Sequence, residues 1–214
     1  LLTKGIRPKQ IAAMTFTNKA AREMKERIGA GFSNNKDKRQ IKDLFIGTFH
    51  RFCLTILRDH FKEAGLREGF VLLSASDQLD ILRQAITDVG AGSSLPDSTI
   101  LYHVSLCKMS LLKAHNLRSG DLPHGISGAK NIEVFIRIYQ QYEALLQINN
   151  AIDFDDCITK VCWMLEEHNY LQTTLRQRYK YILVDEFQDT NGSQFALLKH
   201  LVAPEGNICV VGDD

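Results

Sequence analysis

The chain has 214 residues, of which 26 are Lys or Arg and 25 are Asp or Glu, giving a net charge of +1, and 44% are hydrophobic. This is the composition of a globular protein with a real core, long enough for one α/β domain carrying an insertion or for two small domains. It excludes a basic overall field as the means of holding nucleic acid, leaving only local groups for that task, and no apolar run approaches the length of a membrane span.

In chain order, Ile11–Phe16 reads as a short buried parallel strand, and a helical pattern follows over 18–29. Ser33–Arg39 is a polar, mostly basic loop. Leu44–Thr48 and a helical pattern over 49–63 repeat the arrangement. From about 64 to 150 the sequence predicts no strand, only amphipathic stretches near 76–89, 97–114 and 131–149, punctuated by Gly90–Pro96 and Ser119–Gly125. Tyr181–Asp185 is a third strand with a helical pattern over 190–202, and Ile208–Val211 is a fourth. Strand-then-helix repetition implies right-handed crossovers and a parallel sheet. The five cysteines are widely spread without a C-x-x-C pair, as expected of buried free thiols in a reducing compartment. The seven histidines form no His-x-x-x-His pair, so no zinc site is expected.

The most specific segment is Tyr181-Ile-Leu-Val-Asp-Glu-Phe-Gln-Asp-Thr-Asn191. Four apolar residues end abruptly in Asp185-Glu186, which is how a parallel strand delivers two carboxylates to the ligand-binding edge of a sheet. The plain alternative is a strand that ends in solvated acids. Thr15-Phe-Thr-Asn-Lys19 lies where a strand gives way to a helix. Thr17 or Asn18 can simply cap that helix. The same backbone N–H groups and hydroxyls, with Lys19, also suit a phosphate, and Phe16 is either core or a ring on which a base can stack. Thr48, His50 and Arg51 stand at a second strand-to-helix junction and carry the same two readings. Asp153-Phe-Asp-Asp156 reads first as an acidic helix start.

Taken in order, these boxes resemble the UvrD/Rep/PcrA family of superfamily 1 DNA helicases. Ile11–Arg27 is similar to motif Ia, Ile46–Cys53 to motif Ib, Asp153–Asp156 to the acidic box before motif II, Tyr181–Asn191 to motif II (the Walker B box), and Val210–Asp214 to the opening of motif III. The resemblance implies a RecA-like P-loop NTPase parallel sheet, domain 1A, formed by 1–63 and 151–214, with an all-helical inserted subdomain 1B over 64–150. It assigns Asp185 to Mg²⁺, Glu186 to activation of the attacking water, and Gln188 to the γ-phosphate. It places Phe16, Thr17, Asn18, Lys19, Thr48, His50 and Arg51 against DNA, and lets Asp153–Asp156 orient nucleic acid or link the insertion to the sheet.

The implied activity is ATP-dependent 3′-to-5′ translocation on single-stranded DNA and its duplex junctions, with ATP and Mg²⁺ as cofactors and no membrane partner. The setting would be the cytoplasm of a bacterium, or the nucleus or an organelle of a eukaryote. The 214 residues contain no G-x-x-x-x-G-K-[ST] loop, so the Walker A site is absent from this sequence and the chain reads as part of a longer enzyme, of marginal stability and inactive alone. Two alternatives stand beside that reading: a non-catalytic DNA-binding or interaction module, and the helicase part of a helicase–nuclease.

Overall fold

The computed structural model describes residues 1–31, 41–90, 95–122 and 129–213. The polar loop expected at Ser33–Arg39 and Asp214 fall outside the described residues, as do parts of the two punctuating segments. The chain begins with strand β1 (Ile11–Thr15), helix α1 (Asn18–Ala30), strand β2 (Phe45–Thr48) and helix α2 (Phe49–Asp59). A two-residue strand β3 (Val71–Leu72) precedes three helices, α3 (Ala75–Val89), α4 (Asp97–Met109) and α5 (Ala129–Ile148). Then come β4 (Ala151–Ile152), α6 (Asp156–Glu167), α7 (Asn169–Arg178), β5 (Tyr181–Val184), α8 (Gly192–Leu201) and β6 (Asn207–Val210).

Four strands form one parallel sheet in the order β2-β1-β5-β6, with Thr15 opposite Thr48 and Met14 opposite Val184. Side chains alternate across a strand, so β1 feeds both faces. Ala12 and Met14 join the larger core with Phe49, Phe52, Leu57, Val161, Leu165, Ile182, Val184 and Leu198. Ile11 and Ala13 join Ala21, Leu44 and Ile46 beneath α1. Covering on both faces explains why β1 is apolar and buried at every position. The last strand differs. Every residue of β6 is exposed, Ile208 and Val210 included.

Helices α3, α4 and α5 bury a cluster of their own, built from Leu82, Ala85, Ile100, Val104, Phe135, Tyr139, Tyr142 and Leu146. Their entry and exit are stitched together, which the sequence did not predict. Val71 and Leu72 pair in parallel with Ala151 and Ile152, a strand inside the stretch expected to hold none. Asn150, in the left-handed region at φ 50°, turns the chain there, and its Oδ1 accepts from Arg67 N at 2.8 Å. A two-residue strand carries no periodic signal; it forms because its partner closes a loop about eighty residues long. Helix ends also differ from expectation. α2 stops at Asp59, where His60 leaves helical backbone, and α4 stops at Met109, ahead of Leu111 at φ 58°.

The helical cluster is joined to the sheet through Lys108, which has no exposed surface. Its Nζ donates to Asp153 Oδ2 at 2.7 Å and to Asp156 Oδ1 at 2.8 Å. Glu143 Oε1 lies 2.7 Å away as a further ion pair, outside hydrogen-bonding direction. Tyr142 Oη donates to Asp153 Oδ2 at 2.8 Å, and Asp156 N to Asp153 Oδ1 at 2.9 Å. Burial alone would drive the Lys108 amine neutral, but Asp153, Asp156 and Glu143 outweigh it and hold the pKa well above the ordinary amine value. Burial would likewise raise Asp156, and Lys108 with Lys160 overcomes it, so this carboxyl sits below the usual range. Asp153 and Asp156 therefore tie the helices to the sheet; they are not merely a solvated helix start.

Removing the cation would leave buried carboxylates unpaired, so Lys108→Met should cost about 3–5 kcal/mol in denaturant-induced unfolding. Because the folded pKa of Lys108 is raised, its contribution is complete below pH 10.5 and fades as pH climbs through the folded value. The gap between wild type and variant should therefore hold through neutral pH, narrow in strong alkali, and narrow also in acid as Asp156, held below its usual range by Lys108, becomes protonated. A gap that is small at neutral pH, or constant into alkali, would reject the assignment.

Candidate functional site at the carboxyl edge of the sheet

Parallel strands bring their carboxyl ends to one edge, and the strand order places Thr48, Thr15, Asp185 and Val211 along it in sequence. On the β2–β1 half, two helices start side by side. Thr17 caps α1, its Oγ1 accepting from Ala20 N at 3.1 Å, and Thr48 caps α2 by accepting from Arg51 N at 3.3 Å. Capping is thus real at both threonines, and among the described residues neither hydroxyl donates to an acceptor. Adjacent helix N-termini present unpaired N–H groups and positive partial charge to the same patch of solvent. Thr17, Asn18 and Lys19 are exposed there. Phe16 is half-buried, its ring edge-on to buried Phe49 with centroids 6.2 Å apart. It is core on one side and an available face on the other.

His50, in the first turn of α2, stacks on Phe154 with centroids 3.6 Å apart and planes 18° from parallel. Burial lowers the imidazole pKa to about 4, so the ring is neutral at pH 7. It can offer an N–H or a flat face but not a cation. Phe154 is 56% exposed although it lies between the buried Asp153 and Asp156, so the Lys108 network fixes the backbone that holds the ring. Sequence reasoning singled out that box for its acids and missed the aromatic within it. Arg51 departs from its companions. Its stem lies across Gly47, where a Cβ would sit 3.2 Å from Arg51 Cδ and 3.1 Å from the Phe45 ring, and its head turns to a groove beside β2 rather than to the edge.

The β5–β6 half carries the acids. Asp185 N donates to Met14 O at 3.0 Å, prolonging the ladder one residue past β5, with the side chain half-buried. Glu186 adopts left-handed backbone at φ 53°, ψ 47°. A non-glycine residue in this region carries strain of about 1 kcal/mol or more, and such strain gathers at functional sites. The reversal lets Phe187 N reach Val211 O at 2.9 Å, locking the turn after β5 onto the segment after β6. Gln188 then bridges both sides, donating from Nε2 to Glu186 Oε2 at 2.7 Å and accepting from Asp213 N at 3.3 Å. A Cβ at Gly212 would collide with Gln188 Oε1 and lie 3.3 Å from Phe187 N, so a larger residue there would push the Gln188 side chain off its contacts. Asn191 caps α8 through a reciprocal pair with Gln194, both contacts 3.0 Å.

A half-buried carboxylate beside an exposed one, on fixed backbone, suits a hard cation that takes one or two carboxylates and completes its shell with water or phosphate oxygens. Among the described residues a second acidic group, Glu143, Asp153 and Asp156, is close enough to hold a metal, but Lys108 Nζ already stands against all three.

The whole chain, residues 1–214, matches the family described as the UvrD/REP helicase N-terminal domain. A probable DNA helicase II homolog of Mycoplasma capricolum is 36% identical over 217 residues, covering 98% of this chain and 28% of the relative. The ATP-dependent DNA helicase Rep of Escherichia coli is 33% identical over 210 residues, 98% of this chain and 30% of the relative. The ATP-dependent DNA helicase PcrA of Bacillus subtilis is 33% identical over 211 residues, 98% of this chain and 27% of the relative. The chain thus spans less than a third of the length of these relatives.

If Phe154 is what keeps His50 out of water, Phe154→Ala should raise the His50 pKa from about 4 toward 6.5, as read by NMR titration of the ring. Since the folded pKa lies below the unfolded one, wild-type stability from neutral His50 is present above pH 6.5 and lost as pH falls toward about 4. The variant should lose that acid dependence. A pKa still near 4 after the substitution would place the cause elsewhere.

Proposed function

The chain belongs to the UvrD/REP helicase N-terminal domain family, and we propose that it forms the first helicase domain of an ATP-dependent enzyme that moves 3′ to 5′ on single-stranded DNA and works at duplex junctions. The observation that carries this reading is the division of one sheet edge into two chemistries. Thr17, Asn18, Lys19, Thr48 and His50, with the faces of Phe16 and Phe154, make a patch of donors and rings. Asp185, Glu186 and Gln188 make an acidic patch at the end of the adjacent strand, β5. Phosphates and stacked bases suit the first patch without regard to sequence, since every base offers a π-face. A nucleotide with its cation suits the second.

In this reading Asp185 holds Mg²⁺, which when bound neutralises charge developing on the phosphates. Glu186 accepts the proton of the attacking water. Gln188 touches Glu186 on one side and the chain after β6 on the other, so it is placed to relay the state of the acidic patch to a neighbouring segment. Residues 1–63 and 151–214 then form domain 1A and 64–150 the helical subdomain 1B. The exposed outer edge of β6, with Ile208 and Val210 uncovered, is the place where a further strand leading to a phosphate-binding loop would pair.

The chain should bind fluorescent oligo-dT with an affinity that falls as salt rises and does not respond to ATP and Mg²⁺. Phe16→Ala should weaken it by about 1–3 kcal/mol, the worth of one stacked base. In an enzyme that includes the phosphate-binding loop, Glu186→Gln should abolish ATP turnover while leaving Mg²⁺-ATP binding largely intact. Retained turnover would remove Glu186 from its role; absence of DNA binding at any salt would remove the DNA patch.

A further inference from the structure

Beside the outer strand β2, away from the acidic patch, lies a groove of about 500 Å³ whose walls include Lys9, Lys25, Lys42, Arg51 and Arg178 against, among the described residues, a single carboxylate, Asp43. These five cations come from separate parts of the chain. Lys9 precedes β1, Lys25 is on α1, Lys42 precedes β2, Arg51 is in the first turn of α2, and Arg178 ends α7. Arg178 has a partly exposed partner in Asp59 at 3.8 Å. Among the described residues the other four have no acid within 4.0 Å.

A chain with 26 basic and 25 acidic residues has no surplus of charge to scatter. Gathering five cations around one carboxylate sets like charges against one another, an arrangement that an anion would relieve. Lysines at a sheet edge are also used to keep strands from pairing with other molecules. That accounts for Lys9 and Lys42 at most, because Lys25, Arg51 and Arg178 stand on helices. Burial and the nearby Arg51 charge lower the Lys25 pKa, in keeping with cations held close together. One wall of the groove, Arg51 and Thr55 on α2, starts beside the carboxyl edge, while Lys9, Lys42 and Arg178 precede β1, β2 and β5. Arg51 N is held by the cap of Thr48, next to His50, while the Arg51 side chain forms a groove wall.

We propose that this groove binds the phosphodiester backbone of a nucleic-acid strand, extending the strand's path from the helix N-termini of α1 and α2 across Arg51 and along β2. The inference rests on the DNA reading of the edge given above. It adds a second stretch of contact that is purely electrostatic and independent of base identity. The groove lengthens the footprint and steepens the salt dependence, while the edge supplies stacking.

The test compares the full chain with a Lys25→Gln/Lys42→Gln double variant, both residues exposed and outside the edge patch, and checks by thermal melting that the fold is kept. Binding is measured by fluorescence anisotropy to oligo-dT of about 6 and about 20 nucleotides, lengths chosen to cover the edge alone or the edge and groove together. The double variant should bind the short strand like wild type and the long strand about tenfold more weakly at low salt. Its log–log salt slope on the long strand should be smaller by about 1.4, the loss of two single-strand phosphate contacts. Equal affinities and slopes on the long strand would overturn the groove while leaving the edge reading in place. If wild type binds neither length, the edge reading fails and the groove inference with it. Tripolyphosphate binding that depends on Lys25 and Lys42, with long-strand binding unchanged, would assign the groove to a small anion and overturn the nucleic-acid proposal.

Discussion

A single ammonium group holds the two halves of this molecule in register. Lys108 comes from the helical cluster, and the carboxylates it donates to, Asp153 and Asp156, open the return to the sheet. Buried ion pairs are weak evidence of stability, because desolvation cancels much of the attraction, but breaking one is costly because it strands a charge. The network is therefore best understood as a specifier. Any packing of the helices that misplaced Lys108 would leave buried carboxylates without a partner, so competing arrangements are penalised more than the native one is rewarded. The parallel pair β3–β4 and the Arg67–Asn150 contacts work to the same end, closing the helical stretch at its base.

The consequence reaches the functional edge. Phe154 lies between the two buried aspartates, and its ring stacks on His50 at the start of α2. The position of an aromatic face at the edge thus depends on a lysine in a distant helix. Because burial keeps His50 neutral, the patch gathers rings and neutral donors close to the strands. Permanent cations lie farther out, at Lys19 and in the groove beside β2. In the proposed DNA reading such a layout would separate grip on bases from attraction to phosphates, two interactions with different dependence on salt and distance.

The acidic half obeys a different constraint. Asp185 is placed by the sheet ladder, Glu186 by a left-handed turn, and Gln188 by contacts to both Glu186 and the backbone after β6. Each is held by backbone geometry that strand order imposes. The strain at Glu186 is sustained because Phe187 and Val211 lock the reversal from both sides. This half sets its carboxylates on hydrogen-bonded backbone and leaves β6 exposed beside them.

The sequence by itself determined the four sheet strands, the helices that follow them, the helical character of the middle stretch and the carboxylates at the end of β5. It could do so because each is a local pattern: parallel strands buried on both faces are apolar runs, and amphipathic helices repeat on their own turn. It also put the cap of α1 at Thr17 or Asn18 and Thr48 at a strand-to-helix junction, since capping is decided within four residues. Only the tertiary structure decided the rest. Pairing of Val71–Leu72 with Ala151–Ile152, the meeting of Lys108 with Asp153 and Asp156, the stacking of Phe154 on His50 and the turning of Arg51 into a basic groove join segments far apart in the sequence, as far as Lys9 from Arg178. Lys108 within the run Leu106-Cys-Lys-Met109 was the one faint signal, a charge among apolar neighbours. No periodicity encodes such contacts. They exist because crossovers and loop closure bring distant segments together, and burial then makes the charges and rings find one another.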